Sequence, residues 1–368
     1  MTFTPLHIVH TESSLGWGGQ EIRILTEALG MRQRGHKITL IAPPTARIFQ
    51  AAEERNIHVI ALPIGRKNLT GLFALRNWLK RHPCDVINTH SSTDSWLAAL
   101  ATRFMHNAPP LVRTRHISAA IPNNFSTRWL YQTATSFIAT TGERLRQQLI
   151  KQNEFDPTHI RSVPTGIDTD RFVPGNRTIA RGQLNLPLNV PIVGIVATLR
   201  SWKGHHYLLE AFARLADPEA LLLIVGDGPQ RQNLEQAIDR LNLKGRVLMP
   251  GNQRDVTTWL HAMDVFVLPS YANEGVPQAL MQAMACGLPV ISTPIGSITE
   301  AVQDGVSGCI VPPRDAEQLH RSIQTLLLDP EQRAVLGAAA RKTANEKFGV
   351  DAMLDKMEAI FTHAVHHA

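Results

Sequence analysis

Short runs of β-forming residues alternate with helical stretches along nearly the whole chain, and this alternation restricts the fold more than any other feature. The strands predicted in the first half span 6–10, 37–42, 58–62, 85–89, 111–115 and 136–140. Strands that alternate with helices form a parallel sheet with both faces covered. The first half is therefore predicted to be a doubly wound α/β domain.

The pattern is interrupted once and then begins again. Residues 168–191 are rich in proline and glycine and read as a linker. The strands predicted after it span 192–197, 220–225, 246–249, 264–268 and 290–292, and the tail from 315 is helical. We therefore predict a Rossmann-like domain over 1–175, a second Rossmann-like domain over 176–345, and a final helix over 346–368 that packs back on the first. In open sheets of this kind, ligands bind beyond the carboxyl ends of the strands.

Charge separates the two halves. Of the 37 Lys and Arg and 31 Asp and Glu, residues 1–180 hold 21 and 12. The basic half permits an anionic partner, but no nucleic-acid motif accompanies it, so nucleic acid is not expected. The three cysteines form no CxxC and no pairing pattern, so neither a disulfide framework nor a zinc site is predicted. The N-terminus lacks an export signal, which predicts a cytoplasmic protein.

One uncharged stretch could be mistaken for a membrane helix. Residues 275–299 contain no Asp, Glu, Lys or Arg, but Pro277, Pro289 and Pro294 interrupt them, together with Gly287 and Gly296. Such breaks favour a buried helix, loop and strand over a bilayer-spanning helix.

Glycines follow the first predicted strand and precede the first helix, at Gly18 and Gly19. Here the backbone can approach a ligand closely, and the helix N-terminus favours an anion. The spacing matches neither a dinucleotide nor a P-loop fingerprint. A turn needed only for packing is the alternative.

The second domain opens with Arg200, Lys203 and Gly204 between a strand and a helix. Cations at a helix start suit a phosphate, and solvated loop cations are the alternative. The next strand ends in a turn containing Asp227, which we interpret as structural.

The most informative block follows the strand at 264–268. It contains one acid, Glu274, followed by Gly275, Val276 and Pro277 at a predicted helix start. Free amides at that start can hold a diphosphate, and Glu274 can reach a sugar hydroxyl. Gln282 lies two turns further along and can reach a ribose. A polar position on an amphipathic helix is the alternative for Gln282.

With this block, the chain resembles a group-1 (family-4) retaining glycosyltransferase of the GT-B fold over nearly its whole length. The resemblance rests on six ordered segments, which are Gly18-Gly19, 163–172, Lys203-Gly204, 226–229, the block around Glu274, and 305–313. It implies two Rossmann-like domains facing each other across a cleft. It also implies a UDP- or GDP-type nucleotide-sugar donor bound by the second domain, an acceptor bound by the first, and neither a cofactor nor a metal.

The resemblance also assigns roles. It implies that Lys203, helped by Arg200, binds the donor diphosphate with the amides of Gly275 and Val276, and that Glu274 contacts the transferred sugar. Gln282 would hold the ribose. Gly18 and Gly19 would lie against donor phosphates or acceptor. His116 follows a strand where the family often has a histidine near the reacting centre, so it is a catalytic candidate; a solvated loop histidine is the alternative.

Three residues depart from the family pattern. Gln282 replaces an acid, Thr198 stands where an arginine is usual, and Thr165 replaces an asparagine. These departures fit either a subfamily variation, which we favour, or weakened donor binding.

The predicted function is transfer of a sugar to a lipid-linked, lipopolysaccharide or other cell-surface glycan. Another GT-B reaction, such as that of a phosphorylase or an epimerase, and a non-catalytic nucleotide-sugar-binding protein are the alternatives. The basic, amphipathic segment 66–81 predicts peripheral contact with an anionic membrane, with an ordinary sheet-covering helix as the alternative. The sequence does not determine the sugar, the base or the oligomeric state.

Overall fold

A computed structural model describes residues 4–117 and 119–367 of the chain. It divides into two compact units. The first contains the chain up to Gly166 together with the segment from Val350 onward, and the second is Ile167–Gly349.

Each unit is built on one parallel sheet, which confirms the predicted α/β class. The strands of the first unit are β1 (His7–Thr11), β2 (Lys37–Ala42), β3 (Val59–Ala61), β4 (Val86–Thr89), β5 (Leu111–Arg115), β6 (Phe137–Thr140) and β7 (Ile160–Ser162). Those of the second are β8 (Ile192–Val196), β9 (Leu221–Val225), β10 (Val247–Gly251), β11 (Val265–Leu268), β12 (Val290–Ser292) and β13 (Cys309–Ile310). The spatial orders are β3-β2-β1-β4-β5-β6-β7 and β10-β9-β8-β11-β12-β13.

Helices connect successive strands. The first unit contains α1 (Gly19–Gln33), α2 (Arg47–Glu53), α3 (Leu69–Arg81), α4 (Ser92–Thr102), α5 (Phe125–Arg128) and α6 (Glu143–Asn153). The second contains α7 (Arg177–Gln183), α8 (His205–Ala213), α9 (Arg231–Arg240), α10 (Thr257–Ala262), α11 (Gln278–Ala285), α12 (Ile298–Ala301), α13 (Ala316–Leu328) and α14 (Pro330–Lys347). The last helix, α15 (Val350–His366), belongs to the first unit. A π-helical turn (Trp129–Thr133) and two 3₁₀ turns (Pro157–His159 and Ser201–Lys203) complete the helical segments.

Both sheets are covered on both faces, which explains their apolar strands. All five residues of β9 are buried, because helices lie on each side of this strand. On the first unit α15 packs against α1, where Leu354 occupies the space a side chain at Gly30 would need. The absence of a side chain at Gly30 therefore permits α1 and α15 to approach each other closely.

The division between the units lies nine residues before the expected boundary at 175. Ile167 and Phe172 are buried in the core of the second unit, and His261 contacts the carbonyl oxygen of Val173 at 2.8 Å. The segment that looked like a linker is therefore anchored to the second unit by apolar burial, which its proline and glycine content concealed.

The uncharged segment 275–299 forms α11 and β12, with loops before and after them. Within the described residues, no helix combines the length and apolarity that crossing a bilayer requires.

Candidate active site

In the second unit the candidate residues cluster where the order of strands reverses. β8 and β11 are neighbours in the sheet, but β9 lies on one side of the pair and β12 on the other. Connections that diverge from adjacent parallel strands open a crevice at their carboxyl ends. The loops that follow β8 and β11 carry Lys203 and Glu274 to this crevice.

Lys203 and Glu274 form an ion pair. Lys203 Nζ lies 2.6 Å from Glu274 Oε1, and the Ser270 hydroxyl donates to the same oxygen at 2.6 Å. The Glu274 side chain is only 5% exposed and that of Lys203 19%. The pair therefore presents one cation and one carboxylate at a single point, held by a third polar group.

Two glycines allow the site loops to approach each other. Gly204 and Gly296 have positive φ angles of 77° and 60°. A Cβ at Gly204 would overlap the carbonyl oxygen of Pro269, and one at Gly296 would overlap that of Glu274. Both the left-handed backbone and the lack of space require glycine here.

Backbone amides face the start of α11. Among the described residues, neither Gly275 nor Val276 donates its amide to an acceptor, and the first turn of α11 adds further free amides. Val276 is buried and anchors the loop in the core. Gln282 lies on α11, is half-buried, and its side chain makes no hydrogen bond in the described structure. This arrangement suits a diphosphate at the helix start.

Arg200 lies apart from the ion pair. Its side chain is exposed and its guanidinium lies 5.7 Å from the ring centroid of Trp202. The backbone of Trp202 in turn accepts from the amide of Tyr271 at 2.8 Å, which ties the two site loops together. Asp227 accepts from the Gly228 amide at 2.7 Å and from Arg231 at 3.1 Å. These contacts support the structural interpretation of Asp227.

In the first unit, Gly18 and Gly19 begin α1. Gly18 is the residue before the first helical turn and Gly19 is exposed. Glu12, at the end of β1, accepts from the Ser14 amide at 2.6 Å and from the side chain of Gln20. Burial, with the nearby carboxyl of Asp94, raises the pKa of Glu12 to about 8. Glu12 is therefore protonated at neutral pH.

His116 is the last of three linked imidazoles. His10 Nδ1 lies 3.0 Å from His90 Nε2, and His90 Nδ1 lies 3.0 Å from His116 Nε2. The residues sit at or just after the carboxyl ends of the adjacent strands β1, β4 and β5. We refer to these three residues as the histidine chain.

The histidine chain is uncharged. Burial lowers the pKa of His10 to about 4. Burial, reinforced by positive charges such as Arg23, holds the pKa values of His90 and His116 well below 6.5. His10 and His90 are almost completely buried, while His116 is partly exposed. The sequence identified His116 alone.

Asp94 supports the end of β4. It accepts from the backbone amides of His90 and Ser91, at 2.9 and 2.8 Å, and from the Thr11 hydroxyl at 2.8 Å. Burial raises its pKa. The sequence analysis missed Asp94, although a serine three residues before an aspartate at a helix start is a capping-box signal.

A separate cavity of about 410 Å³ lies between α12, the turn that follows it and α14, and is bordered by Glu300, Asp304 and Lys347. It includes none of the predicted site residues. Within residues 4–117 and 119–367, no group of three His, Cys, Asp or Glu side chains is arranged to hold a metal ion.

Two family profiles match the chain. The family described as Glycosyl transferases group 1 matches residues 176–343, and that described as Glycosyltransferase Family 4 matches residues 17–171. A D-inositol 3-phosphate glycosyltransferase of Saccharomonospora viridis is 27% identical over 92% of this chain and 88% of its own length.

Solved structures share the fold over the same extent. A Rickettsia africae glycosyltransferase covers 100% of both chains with a TM-score of 0.87 and 22% identity. The Anabaena protein Alr3699/HepE, solved with UDP-glucose, covers 97% of this chain and 100% of its own with a TM-score of 0.86 and 24% identity.

Proposed function

The chain belongs to the group 1 glycosyltransferases, and from that premise we propose that it transfers a sugar, with retention of configuration, from a nucleoside diphosphate to a lipid-linked or cell-surface glycan. The observation that carries the proposal is the Lys203–Glu274 pair, at 2.6 Å, beside the free amides that precede α11. This pairing offers a cation for phosphate and a carboxylate for sugar hydroxyls.

On the donor side, Lys203 and the amides of Gly275 and Val276 bind the diphosphate. The exposed side chain of Arg200 changes its rotamer to contact the same group. Glu274 accepts from a hydroxyl of the transferred sugar, and Gln282 reaches the ribose. The donor is of UDP type, a choice supported by the UDP-glucose complex of the similar Anabaena protein. On the first unit, Gly18 and Gly19 leave room for a ligand at the start of α1.

The reaction breaks the bond between the anomeric carbon and the diphosphate oxygen. Negative charge then develops on the leaving group, where Lys203 and the amides stabilise it without requiring a metal. The acceptor hydroxyl forms the new bond on the same face of the sugar. Its proton passes to the departing phosphate oxygen, so no second carboxylate is needed and the configuration is retained.

The test is a screen of UDP- and GDP-sugars for released nucleotide, followed by NMR of the product formed on a glycan acceptor. We expect turnover in EDTA and a product with the donor's anomeric configuration. An inverted product, or activity abolished by EDTA and restored by metal, would contradict the mechanism. A sugar phosphate, an epimerised nucleotide sugar, or binding without turnover would instead identify a phosphorylase, an epimerase or a non-catalytic protein.

The acceptor proposal rests on α3 and the residues just before it. Residues 66–81 contain five Lys and Arg and no Asp or Glu. On the inner face of α3, Leu75, Trp78 and Leu79 are buried in the core. This face behaves as that of an ordinary sheet-covering helix, which was the alternative for segment 66–81. The outer face nevertheless exposes Leu69 by 69% and Phe73 by 54%. Apolar side chains among unopposed cations suit an anionic lipid surface, and we propose peripheral docking there.

Co-sedimentation with vesicles of phosphatidylcholine and phosphatidylglycerol tests the docking. The unmodified protein should bind at low salt and dissociate as salt rises, because each lysine or arginine contributes about 1 kcal/mol near an anionic surface. L69E/F73E should reduce binding at least tenfold. Leu328→Glu, which places one such charge on an exposed apolar site of α13, should bind normally. Equal loss in both variants would contradict docking through α3.

A further inference from the structure

The geometry assigns His10 and His90 as positioning residues: they hold His116 as a neutral hydrogen-bond donor whose Nδ1–H is presented to a substrate oxygen. The inference deepens the catalytic role that the resemblance implies for His116 in the first unit, and it rests on the proposed function. It follows from the order in which the three rings contact each other and from His10 Nε2, which is buried without a partner among the described residues.

The contacts permit only two neutral arrangements. A neutral imidazole carries one N–H and one bare nitrogen, so each contact needs one donor and one acceptor. Both nitrogens of His90 are engaged. Consequently all three rings carry the proton on the same atom: either every Nδ1 is protonated, or every Nε2 is. The state of His116 is thus determined two rings away.

His10 decides between the two arrangements. Its Nε2 is buried and has no hydrogen-bond partner in the described structure. Protonating it would bury an N–H without a hydrogen-bond acceptor. The Phe361 ring lies 6.4 Å from the His10 ring between centroids and is nearly perpendicular to it, and a π face accepts only weakly. Unpaired buried N–H groups are rarer than under-satisfied acceptors. The favoured arrangement therefore leaves His10 Nε2 bare and protonates Nδ1 throughout.

The outer end of the chain then becomes a donor. His116 Nδ1 has no partner among the described residues, and His116 is only partly buried. In the favoured arrangement this nitrogen carries a hydrogen and cannot act as a base. It can donate to a hydroxyl or phosphate oxygen, which agrees with a mechanism in which the leaving phosphate takes the acceptor's proton.

Charged groups around the chain come from three further positions. The positive charges of Arg23 on α1 and Arg113 on β5 lower the pKa of His116. Asp94 on α4 accepts a hydrogen bond from the backbone amide of His90. Arg23 is itself paired with Glu27 at 3.7 Å. The nearby cations oppose protonation of the chain, so His116 keeps its neutral form over the working pH range.

The test reads the tautomers directly. Full-length protein labelled with ¹⁵N-histidine is examined at pH 7 by long-range ¹H–¹⁵N correlation, without any substrate. We expect protonated Nδ1 and bare Nε2 at His10, His90 and His116, assigned from single substitutions. A bare Nδ1 at His116, differing tautomers along the chain, or an imidazolium at pH 7 would overturn the inference. Because the measurement needs no substrate, it tests the tautomer assignment independently of the proposed glycosyl transfer.

Two substitutions of His90 distinguish a role in positioning His116 from a role in packing alone. The amide of asparagine can occupy the Nδ1 position and donate to His116, whereas that of glutamine reaches the Nε2 position toward His10. His90→Asn should favour the same His116 tautomer less strongly, because it leaves a donor beside His116 Nε2 but breaks the contact with His10. His90→Gln should release it, and should lower kcat for UDP-glucose turnover about tenfold, the value of one hydrogen bond, with the donor KM unchanged. His36→Gln, at another buried histidine of the same unit, is the control. Equal behaviour of the two His90 variants would contradict the assignment.

Discussion

At the scale of single residues, the proposed donor side contains a buried ion pair, to which we assign both a structural and a catalytic role. Glu274 is nearly inaccessible, so its charge requires Lys203 and the Ser270 hydroxyl. Removing one member of a buried pair leaves an uncompensated charge, whereas removing both is far less costly. This difference allows folding and catalysis to be measured separately.

Lys203→Ala should lower kcat for nucleotide release by about 10²–10³-fold, the usual effect of losing one group that stabilises developing negative charge. It should also lower the urea midpoint of the second unit. The double variant K203M/E274Q should recover most of the stability but none of the activity. Lys244→Ala, which breaks an exposed pair with Asp239, should change neither quantity. Full activity in folded Lys203→Ala would refute the site.

Gln282 offers a second test at this scale. Its side chain is half-buried on α11 and has no protein partner, so an acid is accommodated there without breaking a contact. A hydrogen bond from a ribose hydroxyl to a carboxylate is stronger than one to an amide. Gln282→Glu should therefore lower the donor KM about fivefold while kcat stays constant. Gln318→Glu, on the exposed start of α13, serves as the control. An unchanged or higher KM would show that Gln282 does not contact the ribose.

At the scale of elements, the turn between β8 and α8 determines where Lys203 lies. Gly204 ends the 3₁₀ turn Ser201–Lys203 and begins α8 in a left-handed conformation. Its hydrogen faces the carbonyl of Pro269 in the loop after β11. The two site loops can therefore approach each other this closely only because Gly204 has no side chain.

Gly204→Ala should separate these loops and reduce activity severely, in addition to the strain of a left-handed alanine, about 1–2 kcal/mol. Gly245→Ala provides the matched control, because Gly245 has a φ of 81° but open space around it. That variant should show only the conformational strain and normal turnover. The comparison requires chemical denaturation and nucleotide release; similar activities in the two variants would contradict the close-approach argument.

The sequence predicted the long apolar strands and amphipathic helices, because their periodicity is set by burial on the sheet. It missed β7 and β13, which have three and two residues and carry too little pattern. Lys203 and Glu274 could be predicted as site residues because each follows a strand within a recognisable motif. His10 was missed because its importance arises only from His90, eighty residues away. Contacts between distant loops leave no local signal, and this also hid Glu12.

At the scale of the whole molecule, the first unit contains buried carboxyl and imidazole groups whose pKa values are displaced. Burial raises the pKa of Glu12 to about 8 and that of Glu27 to about 7, while it lowers those of the histidine chain. The two units should therefore respond differently to pH.

Between pH 7 and 8, Glu12 dominates this response. Its carboxyl is still largely protonated in the folded unit but ionised in the unfolded chain, where its pKa is about 4.5. Because the folded state then binds more protons, the free energy of unfolding falls as the pH rises, by about 1 kcal/mol over this interval.

Hydrogen exchange in urea, followed separately in peptides of each unit, should show this loss of stability in the first unit and a constant stability in the second. Glu12→Gln should remove it, whereas Glu53→Gln, at an exposed carboxylate of the same unit, should retain it. A loss that persists in Glu12→Gln would mean that another group of the first unit, such as Glu27, causes it and that the assignment to Glu12 is wrong.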